Sequence, residues 1–315
     1  MQATDNQKIY IAGIGAIGCL LACRLTQENC AINLILKNEE QLTSYQQSGL
    51  NINYENQNYN CHPKANIIDN LGDTPIKYLI SCVKAYDILS LLMSLKSNLN
   101  EDSIIILLNN GLGVLDEIKN KLPKLRIVSG ICTIGAYLEK PFSVNAFLNG
   151  KIDLGSINDK FYQSELEFFY KSFKKAKLTI QWEEHIKDII WEKFALNCSI
   201  NILTVILSCK NGNLLAYEDL LKDLTEEIAV VISAYGINME ASTLLAKVIS
   251  LLKNVSENYS SMYCDVKFNK PTEISHLNEY LIKLAKEKNI PTKLNSKLLT
   301  QFYMAYDHKK YKYPA

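Results

Sequence analysis

The spacing of apolar residues along the chain changes near residue 182. Before that point, short apolar runs that favour β-strands alternate with segments of helical composition. The strand-like runs are Ile9–Ala12, Ile32–Leu36, Tyr78–Val83, Ser103–Leu108 and Arg126–Thr133, with shorter alternating pieces at Phe142–Val144 and Lys151–Leu154. Apolar strands at this spacing, separated by helices, predict a doubly wound parallel sheet that is covered on both faces.

After residue 182, glycine and proline become rare and apolar residues recur at helical intervals. The predicted helices are Ile186–Leu207, Leu214–Tyr235, Ala241–Asn254, Glu273–Lys288 and Ser296–Tyr306. We therefore expect an α/β fold of two domains. The parallel sheet occupies residues 1–182, and an all-helical C-terminal domain occupies residues 183–315.

The charges are balanced, since 34 basic and 33 acidic side chains leave a net charge of +1. No field of one sign is therefore expected to attract nucleic acid or an anionic membrane. The longest unbroken apolar runs, Ile104–Leu108 and Ile228–Ile232, are far shorter than the ~20 residues of a membrane span. The N-terminal residues lack the apolar core of a signal peptide, and the nine cysteines contain no CxxC pair. We expect a soluble cytoplasmic protein with reduced thiols and no metal site.

The first predicted strand runs into a glycine motif, Gly13-Ile14-Gly15-Ala16-Ile17-Gly18, which is followed by a helical segment and a second strand. This order is typical of Rossmann-type dinucleotide-binding domains, whose glycines permit a tight turn and close approach of the backbone to a pyrophosphate. The phosphates would lie at a helix N-terminus, where unpaired N–H groups favour negative charge. The alternative is a glycine-rich turn that binds no ligand.

Polar residues follow three further predicted strands. Lys37 stands where an NAD-binding domain usually carries an acidic residue, so a 2′-phosphate and hence NADPH are favoured over NAD. Lys84 and Asn110 also follow strands, and ligands of open parallel sheets bind beyond the carboxyl ends of the strands. Each of these residues could instead be an ordinary surface or turn residue.

A row of polar residues lies on the first long helix of the C-terminal half. Lys193, Asn197 and Asn201 are spaced i, i+4 and i+8 among apolar neighbours, so they share one helix face. Burial of an ammonium and two amides requires either internal partners or a polar ligand. A desolvated lysine is also a good proton donor for carbonyl reduction, because its ammonium stabilises the oxyanion that develops.

Farther along the chain, Glu273 follows a proline and a threonine, which is typical of a helix start. Its plainest interpretation is a carboxylate in a first helical turn, where the dipole favours it. Ser261 and Asp265 could likewise be capping residues.

Together these segments resemble the ketopantoate reductase (2-dehydropantoate 2-reductase) family over essentially the whole chain. The matching motifs are the glycine turn, Val83-Lys84-Ala85, Asn109-Asn110-Gly111-Leu112-Gly113, Trp191-Glu192-Lys193 with Asn197 and Asn201, Asn211-Gly212, Ser260-Ser261-Met262 with Asp265, and Thr272-Glu273-Ile274. The resemblance implies reduction of 2-dehydropantoate to pantoate by NADPH, a step toward pantothenate and coenzyme A.

The resemblance also implies individual roles. The glycine turn would bind the NADPH pyrophosphate and Lys37 the 2′-phosphate, while Lys84, Asn110 and Ala136 would contact the cofactor near its reactive end. Lys193 would be the proton donor and Glu273 would organise the site. The residues implied to hold the keto acid are Asn110, Asn197, Asn201, Asn211 and Ser261.

Three departures from the family pattern qualify these roles. The family's Asn-Pro-Leu-Thr-Ala is here Asn201-Ile-Leu-Thr-Val205, a histidine common near Ala146 is absent, and Lys37 replaces an arginine. A lysine binds phosphate as a point charge, without the bidentate geometry of arginine, which weakens the expected preference for NADPH.

Two other functions stay open on the sequence alone. One is a related 2-keto acid reductase or opine-type dehydrogenase on the same scaffold. The other is a catalytically inactive NADP(H)-binding protein. The oligomeric state is also open, with a homodimer among the alternatives.

Overall fold

The computed structural model describes residues 8–54, 57–147, 150–157, 161 and 163–312. The chain forms two compact units, each with its own hydrophobic core. The first unit comprises residues 1–109 and 115–187, and the second comprises residues 110–114 and 188–315. The second unit therefore includes a short segment from the N-terminal half of the chain.

The first unit is built on an eight-stranded sheet. In chain order the strands of this half are β1 (Ile9–Ala12), β2 (Ile32–Leu36), β3 (Leu50–Tyr54), β4 (Gln57–Cys61), β5 (Lys64–Ile67), β6 (Tyr78–Ser81), β7 (Ile104–Leu107), β8 (Arg126–Cys132), β9 (Gly135–Lys140), β10 (Ser143–Phe147), β11 (Ile152–Gly155) and β12 (Ile180–Trp182). The sheet has the order β12-β11-β8-β7-β6-β1-β2-β5. Every neighbouring pair is parallel except β11 with β8.

The predicted doubly wound sheet is confirmed by this strand order. The chain moves outward from β1 through β2 to β5 on one side, and through β6, β7 and β8 on the other. The order therefore reverses between β1 and β6, the place where open α/β sheets bind ligands. The helices of this half are α1 (Ala16–Gln27), α2 (Glu39–Ser48), α3 (Ala85–Ser94), α4 (Val114–Lys121) and α5 (Gln163–Lys175).

A second sheet of four strands, in the order β4-β3-β10-β9, was not predicted. The two shorter alternating pieces are both strands, but β10 belongs to this second sheet and β11 to the first. Apolar residues alternate with asparagines along β3, so that Leu50, Ile52 and Tyr54 are buried. One face of β3 therefore contributes to the core of the first unit, and β9 and β10 pack against α1.

The second unit is helical, as predicted. Its helices are α6 (Ile186–Ile206), α7 (Glu218–Ser233), α8 (Ala241–Asn254), α9 (Ser261–Lys267), α10 (Asn278–Glu287) and α11 (Lys293–Lys312), with 3₁₀ helices at Asn211–Tyr217 and Ile274–His276. The prediction of one helix over Glu273–Lys288 is wrong. Glu273 precedes the 3₁₀ helix, and α10 begins only at Asn278, because the backbone of Leu277 (φ −118°, ψ −107°) is not helical. The predicted Leu214–Tyr235 helix likewise begins as a 3₁₀ helix.

Helix α6 is long and apolar enough, by length and composition alone, to cross a membrane. The buried share of its most apolar window is 61%. A core helix of a globular unit meets the same criterion, and α6 contributes Trp191, Phe194 and Cys198 to the core of the second unit.

Candidate active site

Four neighbouring strands end at one edge of the large sheet, and each is followed by a residue singled out in the sequence. Because β7, β6, β1 and β2 are parallel and adjacent, their carboxyl ends meet there. Gly13 and Lys37 directly follow β1 and β2, while Lys84 follows β6, which ends at Ser81, and Asn109 follows β7, which ends at Leu107. The structure thus brings the predicted cofactor residues Gly13, Lys37 and Lys84 of the first unit to one edge.

The glycine turn between β1 and α1 is shaped by the close packing of the protein itself. Gly13 has a φ of +83°, and a Cβ there would collide with the backbone nitrogen of Val83. A Cβ at Gly18 would collide with the carbonyl oxygen of Gly13. Both glycines are therefore required for the turn to pack against the end of β6 and against its own helix.

Gly15 differs, because a Cβ there would meet no protein atom within 4 Å. It is the N-cap of α1 and provides no side-chain cap for the first turn, which contains no acidic residue. The packing of the protein therefore does not require a glycine here. Space in front of an uncapped helix N-terminus fits a pyrophosphate, whose charge the N–H groups and the helix dipole favour.

The other residues of the motif lie in the same turn. Ile14 is buried in the core of the first unit, and Ala16 and Ile17 begin α1 and pack partly against that core. Their side chains pack on the core and thereby help to hold the turn in place.

Lys37 lies directly after β2 and its side chain is exposed. Its backbone N–H donates to Oε1 of Gln41 at 2.7 Å, while the N–H of Gln41 donates to Oδ1 of Asn38 at 2.9 Å. Asn38 is thus occupied as the N-cap of α2. Lys37 is the cationic side chain next to this strand end, although Glu39 and Glu40 follow in the first turn of α2.

Lys84 is the N-cap of α3 and provides no side-chain cap. Ala136 follows β8, which ends at Cys132, but lies in a strand of the second sheet. It lies in β9 opposite Ala146 of β10, half-buried against the core of the first unit.

In the second unit, the polar row predicted for the first long helix lies on one uninterrupted α-helix, α6. The spacing of four residues therefore aligns Lys193, Asn197 and Asn201 along one face. Lys193 and Asn197 are half-buried, and Asn201 is only 6% exposed.

Thr204 and Ser260, which were not among the predicted site residues, connect this helix to α9. Thr204 Oγ1 donates to the carbonyl oxygen of Asn201 at 2.7 Å and lies 2.6 Å from Ser260 Oγ. Ser260 Oγ also accepts the N–H of Tyr263 at 3.0 Å, so Ser260 is the N-cap of α9. Ser261, the predicted ligand, is the exposed first residue of α9 and not the cap. The link therefore attaches the start of α9 to the backbone of Asn201.

Asn211 is 7% exposed and begins a 3₁₀ helix. Its Nδ2 donates to the carbonyl oxygen of Val255 at 3.4 Å, but its Oδ1 is buried with no hydrogen-bond partner among the described residues. A buried acceptor without a donor is costly, and a ligand hydroxyl or N–H would satisfy it.

The structure also brings together two predicted site residues that are 163 positions apart. Asn110 Nδ2 donates to Oε2 of Glu273 at 3.4 Å, and Glu273 is 4% exposed. The loop after Asn110 is fixed nearby, because Leu112 N–H donates to the carbonyl oxygen of His276 at 3.1 Å. Gly111 (φ +86°) permits this approach, since a Cβ there would lie 2.6 Å from the same oxygen.

Buried thiols flank both predicted binding regions. Cys19, in the first turns of α1, is fully buried, and burial raises its pKa to about 12. Cys198, beside Asn197, is also fully buried, and burial raises its pKa well above the usual value. The reactive thiolate is therefore scarce at both positions.

We expect Cys19 and Cys198 to resist alkylation by iodoacetamide in the folded protein at about pH 8, because burial opposes ionisation of both thiols. Mass spectrometry of labelled peptides measures this, and the urea-unfolded protein, in which both thiols react, is the control. Rapid labelling of either thiol in the folded protein would contradict the burial described.

Comparisons with known proteins match both halves of the chain. A family model described as ketopantoate reductase PanE/ApbA matches residues 9–159, and its C-terminal counterpart matches residues 185–304. The 2-dehydropantoate 2-reductase of Vibrio cholerae is 28% identical over 296 residues, covering 93% of this chain and 96% of the relative. That of Yersinia pestis is 25% identical over 291 residues, covering 92% of each chain.

Solved structures share the fold. A ternary structure of D-mandelate dehydrogenase with NADH and anilino(oxo)acetate has a TM-score of 0.88 at 22% identity, covering 96% of this chain and 99% of the other. A putative 2-dehydropantoate 2-reductase from Enterococcus faecalis has a TM-score of 0.71 at 24% identity, with the same coverage.

Proposed function

The chain belongs to the ketopantoate reductase PanE/ApbA family of oxidoreductases, and we propose that it reduces 2-dehydropantoate to pantoate with NADPH. The observation that carries the proposal is the contact of Glu273 with Asn110 in the second unit. A protein that only bound a nucleotide would not need a buried carboxylate and a row of amides in its helical unit. Pantoate is the product expected on the way to pantothenate and coenzyme A.

The glycine turn fits a nicotinamide dinucleotide, the class of cofactor on which this family depends. Gly13 and Gly18 are required by packing, whereas the open space at Gly15 is a cradle that a Cβ would fill. We assign the pyrophosphate to Gly13–Gly18, the 2′-phosphate to Lys37, and contacts near the reactive end to Lys84, Ala136, Asn110 and Glu273. When bound, NADPH supplies the hydride that reduces the substrate carbonyl.

Lys193 is assigned as the proton donor. Negative charge builds on the carbonyl oxygen as its carbon is reduced, and a nearby ammonium stabilises that charge and then transfers a proton to the oxygen. Lys193 is half-buried on α6, and the charge of an ammonium acts more strongly where it is partly desolvated.

The amides and the hydroxyl are assigned to the keto acid. Asn197 and Asn201 share the α6 face with Lys193, and Asn201 is linked through Thr204 to the N-terminus of α9, where Ser261 lies. The unsatisfied Oδ1 of Asn211 can accept from the substrate hydroxyl. Glu273 orients Asn110 by accepting a hydrogen bond from its Nδ2, and Asn110 is assigned contacts with both the cofactor and the substrate.

Lys37→Ala is expected to raise KM for NADPH about 10-fold and to leave KM for NADH unchanged, because only NADPH carries the phosphate that a charge-assisted hydrogen bond would hold. Steady-state kinetics with both cofactors measures this. Lys64→Ala, which removes another exposed lysine of the first unit, is the matched control. An equal rise of KM for both cofactors in Lys37→Ala would contradict the assignment of the 2′-phosphate to Lys37.

The function itself is tested by the oxidation of NADPH when 2-dehydropantoate is added, repeated with NADH and with a panel of other 2-keto acids. Rapid oxidation with 2-dehydropantoate and NADPH supports the proposal. A preference for another 2-keto acid would indicate a related 2-keto acid reductase. Turnover that requires an amino acid together with a keto acid would indicate an opine-type dehydrogenase. If the chain binds NADPH but turns over none of the substrates, it is a catalytically inactive NADP(H)-binding protein.

A further inference from the structure

A series of hydrogen bonds between buried amides runs through the second unit. Glu227 of α7 accepts the N–H groups of Leu294 (2.7 Å) and Asn295 (2.9 Å), so it caps the N-terminus of α11 from another helix. The Nδ2 of Asn295 donates to the same carboxylate at 2.9 Å. Oδ1 of Asn295 in turn accepts from Nδ2 of Asn278 at 3.1 Å. Both asparagines are completely buried.

This series of hydrogen bonds ends on α6. Nδ2 of Asn278 also donates to the carbonyl oxygen of Cys198 at 3.0 Å. Cys198 directly follows Asn197, which is assigned to the keto acid, and Asn278 is the first residue of α10. A single side chain therefore joins the start of α10 to the part of α6 that bears the polar row.

The segment between Glu273 and Asn278 is short and hydrogen-bonded. His276 N–H donates to the carbonyl oxygen of Glu273 at 3.0 Å, and Leu277 N–H donates to that of Ile274 at 3.2 Å. On its other side the segment is held by the Asn110 amide and by the N–H of Leu112. Glu273 thus lies on a short segment that is attached to residues 110–112 and, through Asn278, to α6.

We propose that Asn278 is a positioning residue that holds Glu273 in register with the polar face of α6. This inference rests on the proposed function, in which Lys193 protonates the substrate and Glu273 organises the same site. Without the Asn278 amide, the segment keeps its attachment to residues 110–112 but loses the hydrogen bond that Asn278 donates to α6. Because small displacements of catalytic groups cost up to about 10²-fold in rate, loss of this attachment is expected to reduce turnover.

The test compares Asn278→Ala with Asn98→Ala. Asn98 is a buried asparagine of the first unit whose Nδ2 also donates to two carbonyl oxygens, those of Gly72 and Thr74. Both variants therefore lose the same kind of contact, but only one adjoins the Glu273 segment. Asn278→Ala is expected to lower kcat about 10- to 100-fold with NADPH affinity unchanged, and Asn98→Ala is expected to keep kcat within about twofold.

A double-mutant cycle separates positioning from general destabilisation. If Asn278 acts through Glu273, Asn278→Ala should cost little further activity in a Glu273→Gln background. If the fold-losses in kcat of the two single variants multiply in the double variant, the two residues act independently and the proposal is overturned. Should Asn278→Ala fail to fold, Asn278→Leu provides the same test with an uncharged side chain of similar shape that lacks the two amide donors.

Hydrogen exchange provides a readout that needs no substrate. In Asn278→Ala or Asn278→Leu without any ligand, the hydrogen-bonded amides of His276 and Leu277 are expected to exchange at least about 10-fold faster, while peptides of the first unit are unchanged. Equal exchange in the variant and the parent protein would overturn the proposal even if the parent reduces 2-dehydropantoate. Faster local exchange in the variant, combined with a parent protein that reduces no 2-keto acid, would refute the proposed function and support the structural link.

Discussion

Lys193→Ala is expected to lower kcat for the reduction of 2-dehydropantoate by about 10²–10⁴-fold while NADPH binds almost as tightly as before. The variant loses the ammonium that stabilises the developing oxyanion and protonates it. The glycine turn assigned to the cofactor belongs to the other unit and keeps its structure. Steady-state kinetics gives kcat, and fluorescence titration gives the Kd for NADPH.

Lys247→Ala is the matched control for this variant. Lys247 is a lysine of the same unit whose Nζ lies 2.6 Å from Glu192, the residue next to Lys193. Its side chain is 41% exposed, and exposed ion pairs contribute little, so its loss should leave kcat within about twofold. If Lys193→Ala turned over as fast as Lys247→Ala, Lys193 would have no part in the chemistry.

Gly15→Ala is expected to weaken NADPH binding by at least about 100-fold without changing the free energy of unfolding, because the methyl group occupies space reserved for the pyrophosphate. The backbone of Gly15 (φ −84°, ψ −162°) suits any residue, and its Cβ would meet no protein atom within 4 Å. Fluorescence titration and urea unfolding measure the two quantities separately.

Gly13→Ala provides the contrast. Its Cβ would collide with the backbone of Val83 and its φ of +83° is unfavourable for alanine, so the protein itself should lose at least about 1–3 kcal/mol of stability. The two substitutions thus distinguish a glycine needed for folding from one needed for the ligand. NADPH binding by Gly15→Ala as tight as by the parent protein would place the cofactor elsewhere.

The inner strands of the large sheet were predictable because they are buried on both faces and are therefore continuous apolar runs, as in Ile9–Ala12 and Ile104–Leu107. The edge strands β5 and β12 are partly exposed and were not predicted. The second sheet escaped prediction because only one of its faces is buried. Along β3, asparagines alternate with the buried residues Leu50, Ile52 and Tyr54, so the strand has no continuous apolar run. A search for a period of two residues could have found it.

The site was predictable only in part. The polar row on α6 follows from helical spacing alone, since its members lie within nine residues on one helix. The contact between Asn110 and Glu273 joins distant segments, which no local pattern encodes, and only the family resemblance pointed to a role for Glu273.

Capping and buried amides are the least visible features in a sequence. In the doublet Ser260-Ser261, only the structure shows which hydroxyl accepts the N–H of Tyr263. Asn278 and Asn295 resemble the many exposed asparagines of the chain, because burial of an amide depends on partners brought together by tertiary packing.

The proposed reaction is the transfer of a hydride from NADPH to the carbonyl carbon of 2-dehydropantoate. It is tested most directly with NADPH that carries deuterium at the transferable position of the nicotinamide, followed by mass spectrometry of the product. We expect pantoate with a single deuterium on the carbon that bore the carbonyl. Unlabelled pantoate, or no pantoate at all, would contradict the proposed hydride transfer.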